Sequence, residues 1–134
     1  MKTILSGSTL LETWADLEEK ERWLKETKAR TEGYIALIRS RDSDLPKTPE
    51  RLAILENIKA KYTAFLADIE KEKQRRDAWL KTLDETGRQI YELRYKKKTE
   101  WQAMEIKLYY SKSSLYRIHA NMLKTADAIS AANE

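Results

Sequence analysis

The sequence predicts an all-α protein, and three observations carry that expectation. Glycine and proline are scarce, with three Gly and two Pro in 134 residues. Charged residues make up 36% of the chain. Apolar residues recur at steps of three and four over long stretches, the spacing that keeps one face of a helix apolar. Such a composition belongs to long helices and coiled coils rather than to β-rich folds. The expected architecture is a long N-terminal antiparallel helical hairpin, coiled-coil-like, over residues 1–83, followed by a small C-terminal helix-turn-helix domain over residues 84–134.

The first helix is expected from Ser8 or Thr9 to about Arg39, on a stripe of Leu10, Trp14, Leu17, Leu24, Ile35 and Ile38. Glu21, Lys28 and Thr31 interrupt that stripe, which leaves the middle of the seam weakly specified. The run RDSDLPKTPER then clusters Asp, Ser and two prolines, a combination that stops a helix. Thr48, Pro49 and Glu50 restart one. The hydroxyl caps the free amides, proline tolerates the first turn, and the acid meets the positive end of the helix dipole. The second helix carries Leu55, Ile58, Tyr62, Phe65, Ile69, Trp79 and Leu83 on its stripe, with Glu72 and Arg76 as polar steps. Two helices of about 30 residues, each roughly 45 Å long, joined by a short loop, fold back on one another. Such a pair would leave Tyr34, Leu37, Ile54 and Leu66 uncovered, so association of copies through residues 9–83, with a dimer favoured, is expected. The charge run KEKQRRDAW reads as a solvated helix face.

Several function classes find no residues. The chain has no cysteine and one histidine, His119, so disulfides, thiolate zinc sites, a cysteine nucleophile and a histidine-rich metal site are excluded. Glycine-rich phosphate loops and paired histidines are absent, so neither an enzyme nor a cofactor is expected. No apolar run approaches the roughly 20 residues that span a bilayer, and MKTILSGSTLLETW is a poor secretory signal. A cytoplasmic protein without membrane contact is the economical reading.

The charge is uneven. Residues 1–84 hold 17 Lys and Arg against 16 Asp and Glu, whereas residues 85–134 hold 9 against 6. Any polyanion footprint is therefore sought in the C-terminal part. There Asp84 can cap a helix bearing Ile90, Tyr91, Leu93 and Tyr95, weakened by Gly87. The basic cluster Arg94, Lys96, Lys97, Lys98 follows, and Thr99 with Gln102 matches a capping box for the next helix. Trp101, Met104 and Leu108 share one face of it, and Ile106 lies off that face. Tyr109 and Tyr110 form a corner, Ser111 offers another cap, and Leu115, Ile118, Met122 and Ala126 make the next inward stripe.

If Leu115 and Ile118 point inward, Lys112, Ser113, Ser114, Tyr116, Arg117 and Asn121 remain outside. These donor-rich, mostly short side chains suit a helix lying in a major groove about 12 Å wide. No carboxylate occurs from Lys107 through Ala126. Lys112, Ser113, Ser114 and Arg117 are the candidates for base edges; Lys96, Lys97, Lys98, Ser111, Tyr116 and Asn121 are the candidates for the DNA backbone. Tyr116 suits a sugar-phosphate contact and exposed packing equally, while His119 reads as a partly exposed scaffold residue.

These pieces add up to a resemblance. ELRY at 92–95, Trp101 six residues after Tyr95, Leu108 before the corner, YSKSSLYRIH at 110–119 and Leu123 resemble region four of sigma factors. They are most similar to the C-terminal helix-turn-helix of phage late-gene transcription regulators of the ArpU and RinA type. The likeness covers about a quarter of the chain, Ile90 to Leu123. It implies a double-stranded DNA-binding transcriptional regulator of phage genes in a bacterial cell, with Ser111 capping the recognition helix and RNA polymerase or another phage protein as a further partner. Tyr109 departs from the glycine that the family has at the turn, and Met104 from a β-branched residue. Two alternatives are a small terminase-like DNA-packaging component and a module that binds only another phage or host protein.

Overall fold

A computed structural model describes residues 7–41 and 48–132, and all of its regular structure is helical. Six α-helices follow one another: α1 (Gly7–Ala15), α2 (Leu17–Arg41), α3 (Thr48–Thr82), α4 (Glu85–Tyr91), α5 (Trp101–Leu108) and α6 (Lys112–Ala132). A π-helical turn, Glu92–Lys96, continues α4. The proline-containing break expected after Arg41 falls mostly on 42–47, outside the described residues, but α3 begins at Thr48 as its cap signals require.

The single helix expected from Ser8 to Arg39 is two helices. The chain breaks at Asp16, whose N–H reaches back to the Thr13 carbonyl at 3.2 Å. Arg76 of α3 donates Nη1 to the Trp14 carbonyl at 3.1 Å, taking an acceptor that an unbroken helix would use itself. Asp16 then stands just before α2, with Glu18 and Glu19 in the first turn, a favoured start.

The chain forms two compact units. One is Leu17–Glu72, and the other consists of the chain on either side of it, so the boundary expected at 83/84 lies inside the second unit. In the first unit α2 and α3 run antiparallel, with Arg39 Nη2 2.9 Å from Glu56 Oε1 near the loop end. Leu17, Leu24, Thr31 and Ile35 of the expected α2 stripe are buried. Thr31 satisfies its hydroxyl on the Thr27 carbonyl at 3.1 Å, which is how a polar residue fits that seam. Phe65 leaves the expected α3 stripe and is 52% exposed. Leu66, four residues after Tyr62 and three before Ile69, takes the half-buried position instead.

In the second unit α1 lies against α6, and the end of α3 supplies Trp79. Its fully buried side chains include Leu11, Trp14, Trp79, Ile90, Tyr91, Met104 and Leu115. Trp79 donates its indole N–H to Thr125 Oγ1 of α6 at 2.9 Å. The charge run that reads as solvated is partly covered: Arg76 is 5% exposed and bonded to Asp77 and Trp14, and half-buried Arg75 donates to the Ile129 carbonyl at 3.5 Å.

Candidate nucleic-acid interface

Local capping fixes two of the three helix starts around the site. Asp84 accepts the Gly87 N–H at 2.8 Å and opens α4. Ser111 Oγ accepts the Ser114 N–H at 3.2 Å and opens α6, while the Ser111 carbonyl accepts from Leu115 at 3.0 Å. The third differs from expectation, because the residue before α5 is Glu100, without a side-chain cap, rather than Thr99. Thr99 is already engaged: its N–H donates to the Leu93 carbonyl at 2.7 Å and its carbonyl accepts Arg94 Nη1 at 3.1 Å. The chain passes from the π-helical turn to α5 through Lys98 at φ 54°.

The corner between α5 and α6 is a left-handed residue. Tyr109 has φ 59° and ψ 36°, and its N–H closes the last turn of α5 on the Glu105 carbonyl at 3.0 Å. Ser111 follows two residues on, so α5 ends and α6 starts within a three-residue turn. Met104 of α5 and Leu115 of α6 are both fully buried, and the two helices are in contact.

On α6, Lys112, Ser113, Tyr116, Arg117 and Asn121 are exposed. Ser114 is half-buried, and its N–H and hydroxyl are both bonded to Ser111, so it serves the turn. Ser113, Arg117, Ala120 and Lys124 fall at spacings of four, three and four, one line along the helix, and all four are exposed. Lys124 was open to sequence reasoning, since continuing the spacing past Arg117 arrives at it. Lys112 belongs to a flank instead: its Nζ lies 5.6 Å from the Tyr116 ring, which stands edge-on to Trp101 at 5.0 Å. A groove of about 720 Å³ runs beside the line, bounded by Arg117, Asn121 and Lys124 on α6 and by Thr82, Asp84 and Gly87 across from it.

The lysine run does not act as one patch. Lys96, Lys97 and Lys98 are all exposed. Lys96 borders a cleft shared with Asp77, Arg88 and Glu92, however, whereas Lys98 borders another with Glu12, Asp16 and Arg94. Carboxylates in both clefts reduce the positive field that three consecutive lysines would otherwise make.

Behind the face, aromatic rings run in a chain through the second unit. Trp14, Trp79, Tyr91, Tyr95, His119 and Trp101 meet successively, with centroids 5.0 to 5.8 Å apart. Arg94 caps the Trp101 ring at 5.1 Å. His119 Nε2 lies 2.6 Å from the Tyr95 hydroxyl. Burial, and then the nearby Arg94 charge, hold the His119 pKa below its ordinary value. Burial and the Glu12 carboxylate push Tyr95 up, outweighing Arg94 and a hydrogen bond with Ser8. Both shifts favour the neutral forms, so the hydrogen bond joins a neutral phenol to a neutral imidazole, with its direction set by the ring tautomer. His119 is thereby a scaffold residue that holds α6 to the π-helical turn.

A family model described as "Protein of unknown function (DUF722)" matches residues 13–127. The chain belongs to the DUF722 family. Comparison with curated proteins and with solved structures finds no match. The DUF722 match takes in the hairpin of Leu17–Glu72, the turn at Tyr109 and the whole exposed line from Ser113 to Lys124. Among the described residues of this DUF722 chain, no group of three or more acidic or histidine side chains could hold a metal ion, and no helix is long and apolar enough to cross a membrane.

Proposed function

We propose that this DUF722 chain is a sequence-specific double-stranded DNA-binding regulator of phage late genes, acting in the bacterial cytoplasm, with α6 as its recognition helix. The observation that carries the reading is the exposed line of α6, entered from a capped left-handed turn and free of carboxylates from Lys107 through Ala126. Ser113, Arg117 and Asn121 are the base-reading residues, because they occupy the outward side of the first turns of α6. Lys112, Tyr116 and Lys124 flank them and suit phosphates. The phage and late-gene part of the proposal rests on the likeness of Ile90 to Leu123 to region four of sigma factors and to the ArpU and RinA regulators.

Selection of bound duplexes from a random library, followed by anisotropy titration on the selected sequence, tests it. Arg117→Ala should weaken binding to the selected duplex by about 10- to 100-fold and relax preference at one position, and Lys124→Ala should weaken all duplexes alike while lowering the salt slope by about one. Helicity by circular dichroism should stay unchanged in both. Failure to enrich any sequence, or wild-type affinity in Arg117→Ala, would sink the assignment.

A further inference from the structure

The hairpin of Leu17–Glu72 carries a second apolar seam on each of its helices, distinct from the one that joins them except at half-buried Ile58, which both share. On α2, Trp23, Thr27, Arg30, Tyr34 and Leu37 follow one another at steps of four, three, four and three. Trp23, Tyr34 and Leu37 are 57%, 59% and 47% exposed. The two polar members of the seam are tied down along it: Thr27 donates to the Trp23 carbonyl at 2.8 Å, and Arg30 reaches Thr27 Oγ1 at 3.3 Å.

On α3 the steps repeat through Ile54, Ile58, Lys61, Phe65 and Asp68, with Ile54 61% and Phe65 52% exposed. Both seams are rotated in the same sense from the faces that join the helices. In an antiparallel pair, equal rotations of that kind bring two seams to one side of the hairpin. Trp23 and Phe65 accordingly line one apolar groove of about 450 Å³, with Lys20 and Asp68 at its edges.

We infer that a second copy of the chain occupies this groove, in a two-fold antiparallel four-helix arrangement. A repeat of four and three over 14 residues is the spacing that interdigitates with another helix, and it extends over roughly 21 Å on α2. Charge decides between a second copy and a different partner, and it also sets the direction. Measured from the Arg39–Glu56 pair near the loop end, Lys61 lies five residues along α3, about 8 Å away, and Asp68 twelve residues, about 18 Å away. The seam thus carries Lys61 toward its loop half and Asp68 toward its open half, while Arg30, nine residues from Arg39, lies level with Phe65 and is turned back to Thr27. A copy related by a two-fold axis across the middle of the seam, near Phe65, sets Lys61 of each chain against Asp68 of the other. It also places Trp23 against the partner's Leu37 and Ile54 level, so apolar residues meet at both ends.

Sedimentation equilibrium of the full chain at tens of micromolar tests the inference without any DNA, so its outcome is separate from that of the DNA-binding proposal. The wild-type chain is expected at twice the 15.8 kDa of one chain. Phe65→Glu, at an exposed position, should give the monomer mass with unchanged helicity. Asp68→Lys should weaken the dimer at least tenfold, and the double exchange Lys61→Asp, Asp68→Lys should restore it, because each altered residue again faces its opposite across the two-fold. A monomeric wild type, which would leave the groove to another protein, overturns the inference. So does a larger assembly, a dimer insensitive to Phe65→Glu, or a double exchange that stays dissociated.

Discussion

Tyr109 holds φ 59° and ψ 36° with its ring 93% exposed, so little packing offsets the backbone cost. A side chain in that conformation costs roughly 1–2 kcal/mol, of which glycine's greater freedom in the unfolded chain takes back about half. Tyr109→Gly should therefore raise the melting temperature by about 2–4 °C, read by calorimetry; a lowered value would show that the ring contributes contacts of its own. The same residue marks what a sequence can disclose, for its position at a corner is readable from the flanking stripes and from Ser111, whereas the left-handed backbone is a property of the folded chain. His119 makes a second prediction. Its folded-state pKa is lowered, so the unfolded chain, titrating near the ordinary 6.5, binds more protons as the pH falls below neutrality. The stability that neutral His119 contributes should be present above about 6.5 and be lost as the pH falls below that value toward 5. Calorimetry across that range checks it, and His119→Gln should flatten the slope; equal slopes in the two proteins would refute the assignment. One histidine with no partner in the local sequence gave no hint of Tyr95, 24 residues away.

The helices differ in how far local sequence accounts for them. Asp84 and Ser111 start α4 and α6 by short-range capping bonds, α3 begins at Thr48, and all three starts are readable in the chain. Thr99 carries an equally good local signal and yet is not the cap, because Leu93 and Arg94 hold its backbone. Helix α1 shows the same limit more strongly. Leu10 and Trp14 continue the α2 stripe on paper, but α1 leaves α2 at Asp16 and packs on α6, 100 residues later in the chain. Its docking is close at Gly7, whose N–H donates to Asp127 Oδ1. A Cβ there would stand 2.5 Å from the Leu123 carbonyl oxygen and 2.9 Å from Asp127 Oδ1. The first of these is backbone of α6 and cannot turn aside, so α1 must shift. Gly7→Ala should destabilise the chain by about 1–3 kcal/mol in urea titration and shift the Trp emission to the red as the packing around Trp14 opens. Unchanged stability would mean that α1 docks without that close approach.

At the scale of the whole molecule, burial is unequal between the units. Among the described residues, the unit that holds α1 and α4 to α6 contains the largest fully buried side chains, including two tryptophans, whereas Leu17–Glu72 buries a narrow seam and leaves Trp23, Tyr34, Leu37, Ile54 and Phe65 substantially exposed. A well-packed unit can present a rigid helix face, while a two-helix unit with a second unfilled seam favours association, which is why DNA contact is proposed for the one and a second copy for the other. The all-helical class, the antiparallel hairpin, the starts of α3, α4 and α6 and the exposure of Lys112, Ser113, Tyr116, Arg117 and Asn121 followed from the sequence alone, because helical period, capping and turn chemistry act over three or four residues. Tertiary structure decided the assignment of α1 and the end of α3 to the C-terminal unit, the burial of Arg76, the pairing of Tyr95 with His119 and the division of the lysine run between two clefts. Each of these depends on a partner tens of residues away or on packing between helices, which no local period encodes.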